Sequence, residues 1–122
     1  MLLLNFILGS IFLILGIVFK MFPPKKINSM LGYRTGTSVR NQDTWDEANM
    51  YSAWLLIITG ASSVLIGLIC HFIFNVLTGY LITAGMSIII LLTGVFLTEA
   101  HLKKTFDNDG TRKSLQQESE KQ

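Results

Sequence analysis

Residues 54–98 read WLLIITGASSVLIGLICHFIFNVLTGYLITAGMSIIILLTGVFLT, a run of 45 residues without one Asp, Glu, Lys or Arg. About 20 apolar residues cross a bilayer as a helix, so this run is long enough for two crossings. A water-soluble core helix interleaves polar positions at a period of about 3.6, and no such polar face is present here. Polar groups cluster at His71 to Asn75, and Asn75 with Gly79 suits a tight turn. The stretch therefore predicts two membrane helices, near residues 53–72 and 77–98, closed into a hairpin.

On its N-terminal side lies the polar passage 28–54, NSMLGYRTGTSVRNQDTWDEANMYSAW. Gly32 and Gly36 bracket Tyr33, Arg34 and Thr35, so this part should turn. A helix should start near Asn41–Thr44 and run unbroken through Trp54. Thr44 and Glu47 have the spacing of a capping box, and Asp43 and Asp46 suit a helix N-terminus. Further out, residues 1–19 carry no charge and predict a first span over about residues 2–19, roughly 27 Å long at 1.5 Å per residue. That segment lacks the basic flank and small-residue cleavage site of a signal peptide, so it reads as retained. Pro23 and Pro24 end it, because proline has no N–H to continue the helix.

The fold class expected is all-α, an integral membrane protein of three transmembrane helices with a structured polar loop (residues 23–52) between the first two. Residues 1–106 form the domain. Residues 107–122 are too poor in apolar groups to fold alone and should be a mobile polar tail. Half of the 122 residues are hydrophobic and 15% are charged, against roughly 25% charged in an ordinary soluble domain. Small residues recur at seven-residue spacing, Gly9 and Gly16, Gly60 and Gly67, Ser87 and Gly94, and would let helices pack closely within the chain or in a homo-oligomer. All ten Lys and Arg fall in the first loop or the tail. The positive-inside rule then puts both on the cytoplasmic side, with the N-terminus outside.

Catalytic chemistry finds little support in these residues. His71 and His101 are expected at opposite membrane interfaces, too far apart to share a metal, and each reads as a solvated interfacial residue. The single Cys70 excludes an internal disulfide and a thiolate zinc cluster. Gly32 and Gly36 lack the lysine of a phosphate-binding loop. No catalytic residue, metal, cofactor or nucleic-acid partner is expected. What remains is the polar loop. Trp45, Asn49 and Ser52 would share one helix face. Arg34 and Arg40 offer planar forks for Asp46, Glu47 or Glu99, or for groups contributed by Asn28, Asn41 and Asn49. Either these residues form a pocket at the mouth of the helices, or snorkelling arginines with Trp45 and Trp54 pin the loop at the interface.

The run Asn28, Gly32, Arg34, Thr35 and Ser38, followed by Asn41, Trp45 and Asn49, resembles the signature of the SdpI family of bacterial membrane immunity proteins. The resemblance covers about residues 23–60, in a short three-span form. Gly36 stands where many relatives have proline, implying a looser turn. The resemblance implies a bacterial cell-membrane protein that protects its producer against a secreted peptide toxin without catalysis, through Asn28, Gly32, Arg34, Thr35, Ser38, Asn41, Trp45 and Asn49. Its partners would be the bilayer and a peptide toxin or the toxin's membrane target. The founding member's additional role, holding a repressor at the membrane, is not implied for so short a chain. A lipid- or small-solute-binding or transport unit working as a homo-oligomer is the alternative.

Overall fold

The structure, a computed structural model, describes residues 3–122, and the expected start of the first span at residue 2 lies outside them. It is all-α. Among the described residues four helices follow in order: α1 (Leu4–Met21), α2 (Gln42–Ile73), α3 (Val76–Thr105) and α4 (Lys113–Glu120). Among the described residues no strand forms, and one isolated bridge joins Phe106 to Arg112. α2 and α3 are each long and apolar enough to cross a membrane, while the apolar part of α1, Phe6–Met21, is shorter. With 32 residues, α2 is about 48 Å long, well beyond the roughly 30 Å of a hydrocarbon core. Its polar N-terminal turns therefore project past the apolar part of the bundle.

The hairpin turn falls where the sequence places it. Asn75 caps α3, accepting a hydrogen bond from the Thr78 N–H at 2.9 Å. The start of α2 differs from expectation in its chemistry. Asn41, not Thr44, is the N-cap: its side chain accepts from the Thr44 N–H at 2.9 Å, and the Thr44 hydroxyl accepts from the Asn41 N–H at 3.1 Å. Asparagine caps better than threonine, so the helix begins three residues earlier. That frees Glu47 to face α3.

Burial is inverted relative to a protein in water. Phe96 is 76% exposed and Phe72 79%, whereas Ser63 and Ser87 are fully buried. The buried centre of the α2–α3 contact is polar and small: Thr59 and Thr83 each donate to the carbonyl four residues back, and of Ser63 and Ser87, each within reach of such a carbonyl, one donates to it while the other donates across to its partner hydroxyl. Ser63 and Ser87 also meet across the helices at 2.7 Å. Apolar surface outside with satisfied hydroxyls inside is the stable arrangement when the surroundings are hydrocarbon.

α1 packs along α2 through glycines. A Cβ on Gly9 would lie 2.7 Å from the Val64 nitrogen, and one on Gly16 would lie 2.7 Å from the Ile57 nitrogen. The seven-residue glycine spacing is therefore used inside the chain. α3 packs on α2 as well, and of the three long helices α1 and α3 touch each other least.

Candidate functional site

The loop from Phe22 to Asn41 is held by the same residues that carry the sequence signature. Asn28 closes its own turn, its carboxamide oxygen accepting from the N–H groups of Met30 and Leu31 at 2.9 and 2.7 Å. Gly32 sits at φ +103°, in the left-handed region, and a Cβ there would lie 2.5 Å from the Asn49 side-chain oxygen and 2.8 Å from Pro24. Only glycine fits both the angle and the space. Asn49, on α2, accepts from the Tyr33 N–H at 2.8 Å and donates to the Trp45 carbonyl at 2.8 Å. Trp45 is fully buried, and its indole N–H reaches the Pro24 carbonyl at 2.6 Å. Thr35 and Ser38 exchange hydrogen bonds, the Ser38 hydroxyl accepting from the Thr35 N–H at 2.7 Å and the Thr35 hydroxyl accepting from the Ser38 N–H at 3.2 Å.

All eight expected site residues thus fasten the loop to α2 or to itself, and Arg34 differs in lying on its outer side. It is exposed, and its guanidinium donates to the Ser29 carbonyl at 2.7 Å. The expected pairing with Asp46, Glu47 or Glu99 does not occur, because each carboxylate is taken by another group. Asp46 accepts from Gln42 at 2.7 Å, Glu99 accepts from the Tyr33 hydroxyl at 2.9 Å, and Glu47 meets His101 at 2.7 Å and Arg112 at 3.2 Å.

The stapled loop roofs a cavity of about 180 Å³ lying where α1 and α3 stand apart. Phe19, Leu56, Leu91 and Val95 wall it, Gly32 and Tyr33 lie over it, and Asn49, Ser52, Thr59 and Thr98 add polar atoms. Its volume is similar to the roughly 150 Å³ apolar cavities that take up a benzene-sized molecule. Burial and the Glu99 carboxylate beside it raise the Tyr33 phenol well above its ordinary value, so this hydroxyl remains a donor. Burial works to raise Glu99 as well. The hydroxyls of Thr35, Tyr33 and Thr37, together with the Lys103 charge, outweigh it and hold that carboxyl below its usual range. The roof is therefore pinned to α3 by a neutral donor on an ionised acceptor, a charge-assisted bond.

A second cluster was not expected. His101 meets Glu47 and stacks on Tyr51 with ring centroids 4.2 Å apart. It is a paired group packed between two helices, not the solvated residue that its interfacial position suggests. Arg112 grips Asp43 through two bonds of 2.9 and 2.7 Å, and the Asn41 side chain donates to the Gly110 carbonyl at 2.7 Å. The segment expected to be mobile from Asp107 onwards instead turns back on α2 and continues into α4.

This latch gives a pH prediction. Burial works to raise the Glu47 carboxyl, but the His101 and Arg112 contacts outweigh it and hold its pKa below the ordinary 4.5. A carboxyl depressed in the folded state contributes stabilisation that is complete above its unfolded value and lost as pH falls through the folded one. The groups facing it are His101 from α3 and Arg112 from the tail, with Asp43 one turn away on α2. Spin labels at Met50 and Leu115 should give one narrow distance at pH 7 and a broad distribution well below pH 4. A distance unchanged down to pH 2 would show that Glu47 does not hold the tail.

The SdpI/YfhL protein family model matches residues 25–98 of this chain. The chain is 42% identical over 85 residues to a Bacillus subtilis (strain 168) protein named uncharacterized protein YfhL, an alignment covering 70% of this chain and 77% of that protein. No solved structure matches.

Proposed function

Because this chain belongs to the SdpI/YfhL protein family, we propose that it is a non-catalytic immunity protein of the bacterial cell membrane. It would span the membrane three times, N-terminus outside, and protect its producer against a secreted peptide toxin. The observation that carries this reading is the cavity under the signature loop. Two signature residues, Gly32 and Asn49, line this apolar recess, and Asn49 and Trp45 fasten the loop beside it to α2, an arrangement suited to holding a binding site in place and not to pairing a nucleophile with a base. The recess would receive an apolar group of the toxin or of its membrane target. Labelling of a cysteine at Lys104 by an impermeant reagent reads the orientation directly: protection in intact cells fits it, and labelling reverses it.

Toxin challenge tests the function. Cells carrying the gene should survive peptide toxins of related bacteria that kill cells lacking it. Val95→Trp, which fills the recess, should abolish survival at normal membrane levels. Arg34→Lys should preserve it, since one exposed bond to the Ser29 carbonyl is within a lysine's reach. Full protection by Val95→Trp would remove the recess from the mechanism. The size of the recess also favours a second reading, a lipid- or small-solute-binding unit assembled as a homo-oligomer. A copurified lipid or a solute flux in liposomes, with no effect on toxin survival, would select it.

A further inference from the structure

Beyond the roofed recess, a second pocket of about 340 Å³ lies where the loop, the end of α3 and the returning tail meet. Its floor is apolar, made by Leu102 and Phe106, both essentially buried. Its rim carries three cations from three different segments: Arg40 of the loop, Lys103 of α3 and Lys113 of α4. The fold brings them together actively. Arg40 donates to the Asp107 carbonyl at 3.3 Å, and the Lys113 ammonium crosses to the Lys103 carbonyl at 3.0 Å. The turn that returns Lys113 depends on Gly110 at φ +82°, whose N–H donates to the Asp107 carbonyl at 3.2 Å.

We propose that this pocket binds a phosphate group. Among the described residues none of its three cations is in an ion pair, in contrast to Arg112, which is committed to Asp43 and Glu47. Donors remain free: a guanidinium has five and an ammonium three, and Arg40 and Lys113 each use one on a backbone carbonyl. Thr37 and Asn108 add neutral polar groups at the rim. One acid, Asp107, also lines the pocket. Its carboxylate oxygens already accept from the Asp109 and Thr111 N–H groups and the Gln116 side chain, so it serves as the turn's acceptor. Within the pocket three cations face one occupied carboxylate, and although Glu99, one turn back on α3, takes up part of the Lys103 field, the remainder is a positive field that a multiply bonded oxyanion satisfies. Phosphate offers the oxygens for a planar guanidinium fork and two ammonium groups at once.

The depth of the pocket points to where such a group is found. Lys103 lies five residues beyond Thr98, the last residue of the uncharged run, which is about 7 Å along the helix. That places the rim at the level of the phospholipid headgroups, where basic pockets take anionic lipids. Free phosphate or a phosphorylated solute presents the same chemistry, and the two sources are separable.

The full chain in neutral detergent is titrated with short-chain phosphatidylglycerol in one series and with inorganic phosphate in another, following thermal unfolding, since a ligand of the folded state raises its stability. Native protein should be stabilised in at least one series. Lys103→Gln should weaken the apparent affinity about fivefold, the equivalent of about 1 kcal/mol per cation at an anionic surface. Lys104→Gln, exposed and outside the pocket, should weaken it less than twofold. Stabilisation by phosphatidylglycerol alone identifies a lipid, and stabilisation by inorganic phosphate identifies a soluble anion. Should Lys103→Gln fail to fold, Lys113→Gln is read in the same way. Equal losses at positions 103 and 104 would reduce the effect to diffuse surface charge and overturn the proposal, as would the absence of stabilisation in both series. Neither readout involves toxin survival, so this site and the immunity reading stand or fall separately.

Discussion

Trp45→Ala should lower unfolding stability by about 3–5 kcal/mol, the range for removing a large buried aromatic side chain. Trp45 is fully enclosed although it lies in the polar first turns of α2. Its ring packs under Gly32, whose Cβ would lie 3.3 Å from it, and its N–H holds the Pro24 carbonyl at 2.6 Å. The side chain therefore joins the start and the middle of the loop to the helix, and its loss would also release the Gly32–Tyr33 roof. Trp45→Phe separates the two contributions. It keeps most of the packing but leaves the Pro24 carbonyl unpaired, at a cost of about 1–3 kcal/mol. Unfolding by SDS in mixed micelles measures both variants. A Trp45→Ala cost below about 1 kcal/mol would mean that the loop does not close on this residue.

The parts of this fold that depend on local rules could be read from the sequence. Uncharged runs locate the apolar helices because charge in hydrocarbon is costly wherever it occurs. Pro23 and Pro24 stop α1, and Asn75 sets the hairpin, for reasons internal to a few residues. The identity of the loop as the organising polar element was legible too, since Asn28, Gly32, Thr35, Ser38, Asn41, Trp45 and Asn49 all act there. Their role was less legible. A dense set of amides and hydroxyls is equally what a ligand site or a self-stapled loop requires, and the choice depends on which groups find each other in space.

The same limit explains Arg34 and Arg112. Both carry the same fork, and Arg34 lies nearer in sequence to Asp46 and Glu47. The carboxylates are claimed from further away because α2 and α3 form a hairpin about Asn75. Ser63 and Ser87 each lie twelve residues from Asn75 and meet. Glu47 and His101 lie 28 and 26 residues from it and meet as well. That register was available from the turn position, and it would have found His101. Arg112 had a weaker signal: Asp43 and Glu47 stand four residues apart on one helix face with no basic residue between them, an acidic pair that invites a cation. Composition alone masked the tail, because its anchoring uses an arginine fork, a glycine turn and a few polar bonds to backbone carbonyls instead of apolar area.

Gly60→Leu should be the other severe substitution, and its consequence distinguishes packing within the chain from packing between chains. A Cβ at Gly60 would press on the Leu13 backbone, coming within 2.6 Å of its Cα. Backbone cannot rotate aside as a side chain does, so α1 must move off α2. The cost should exceed the roughly 1–3 kcal/mol of ordinary overpacking, because Gly9 and Gly16 hold the same interface from the other side and would lose register together. Thermal unfolding in mild detergent should drop sharply, and cysteines paired across α1 and α2 should cross-link poorly. Gly85 supplies the control on the next helix. Nothing stands within 4 Å of a Cβ there, so Gly85→Ala should be neutral or stabilising by about 0.5–1 kcal/mol through the lower entropy of the unfolded chain. If Gly60→Leu changed only the native mass of an assembly, leaving α1–α2 cross-linking and unfolding untouched, the glycine seam would belong to a partner copy. With backbone contacts from Gly9, Gly16 and Gly60 all directed across the α1–α2 interface, the loss should fall on the single chain first.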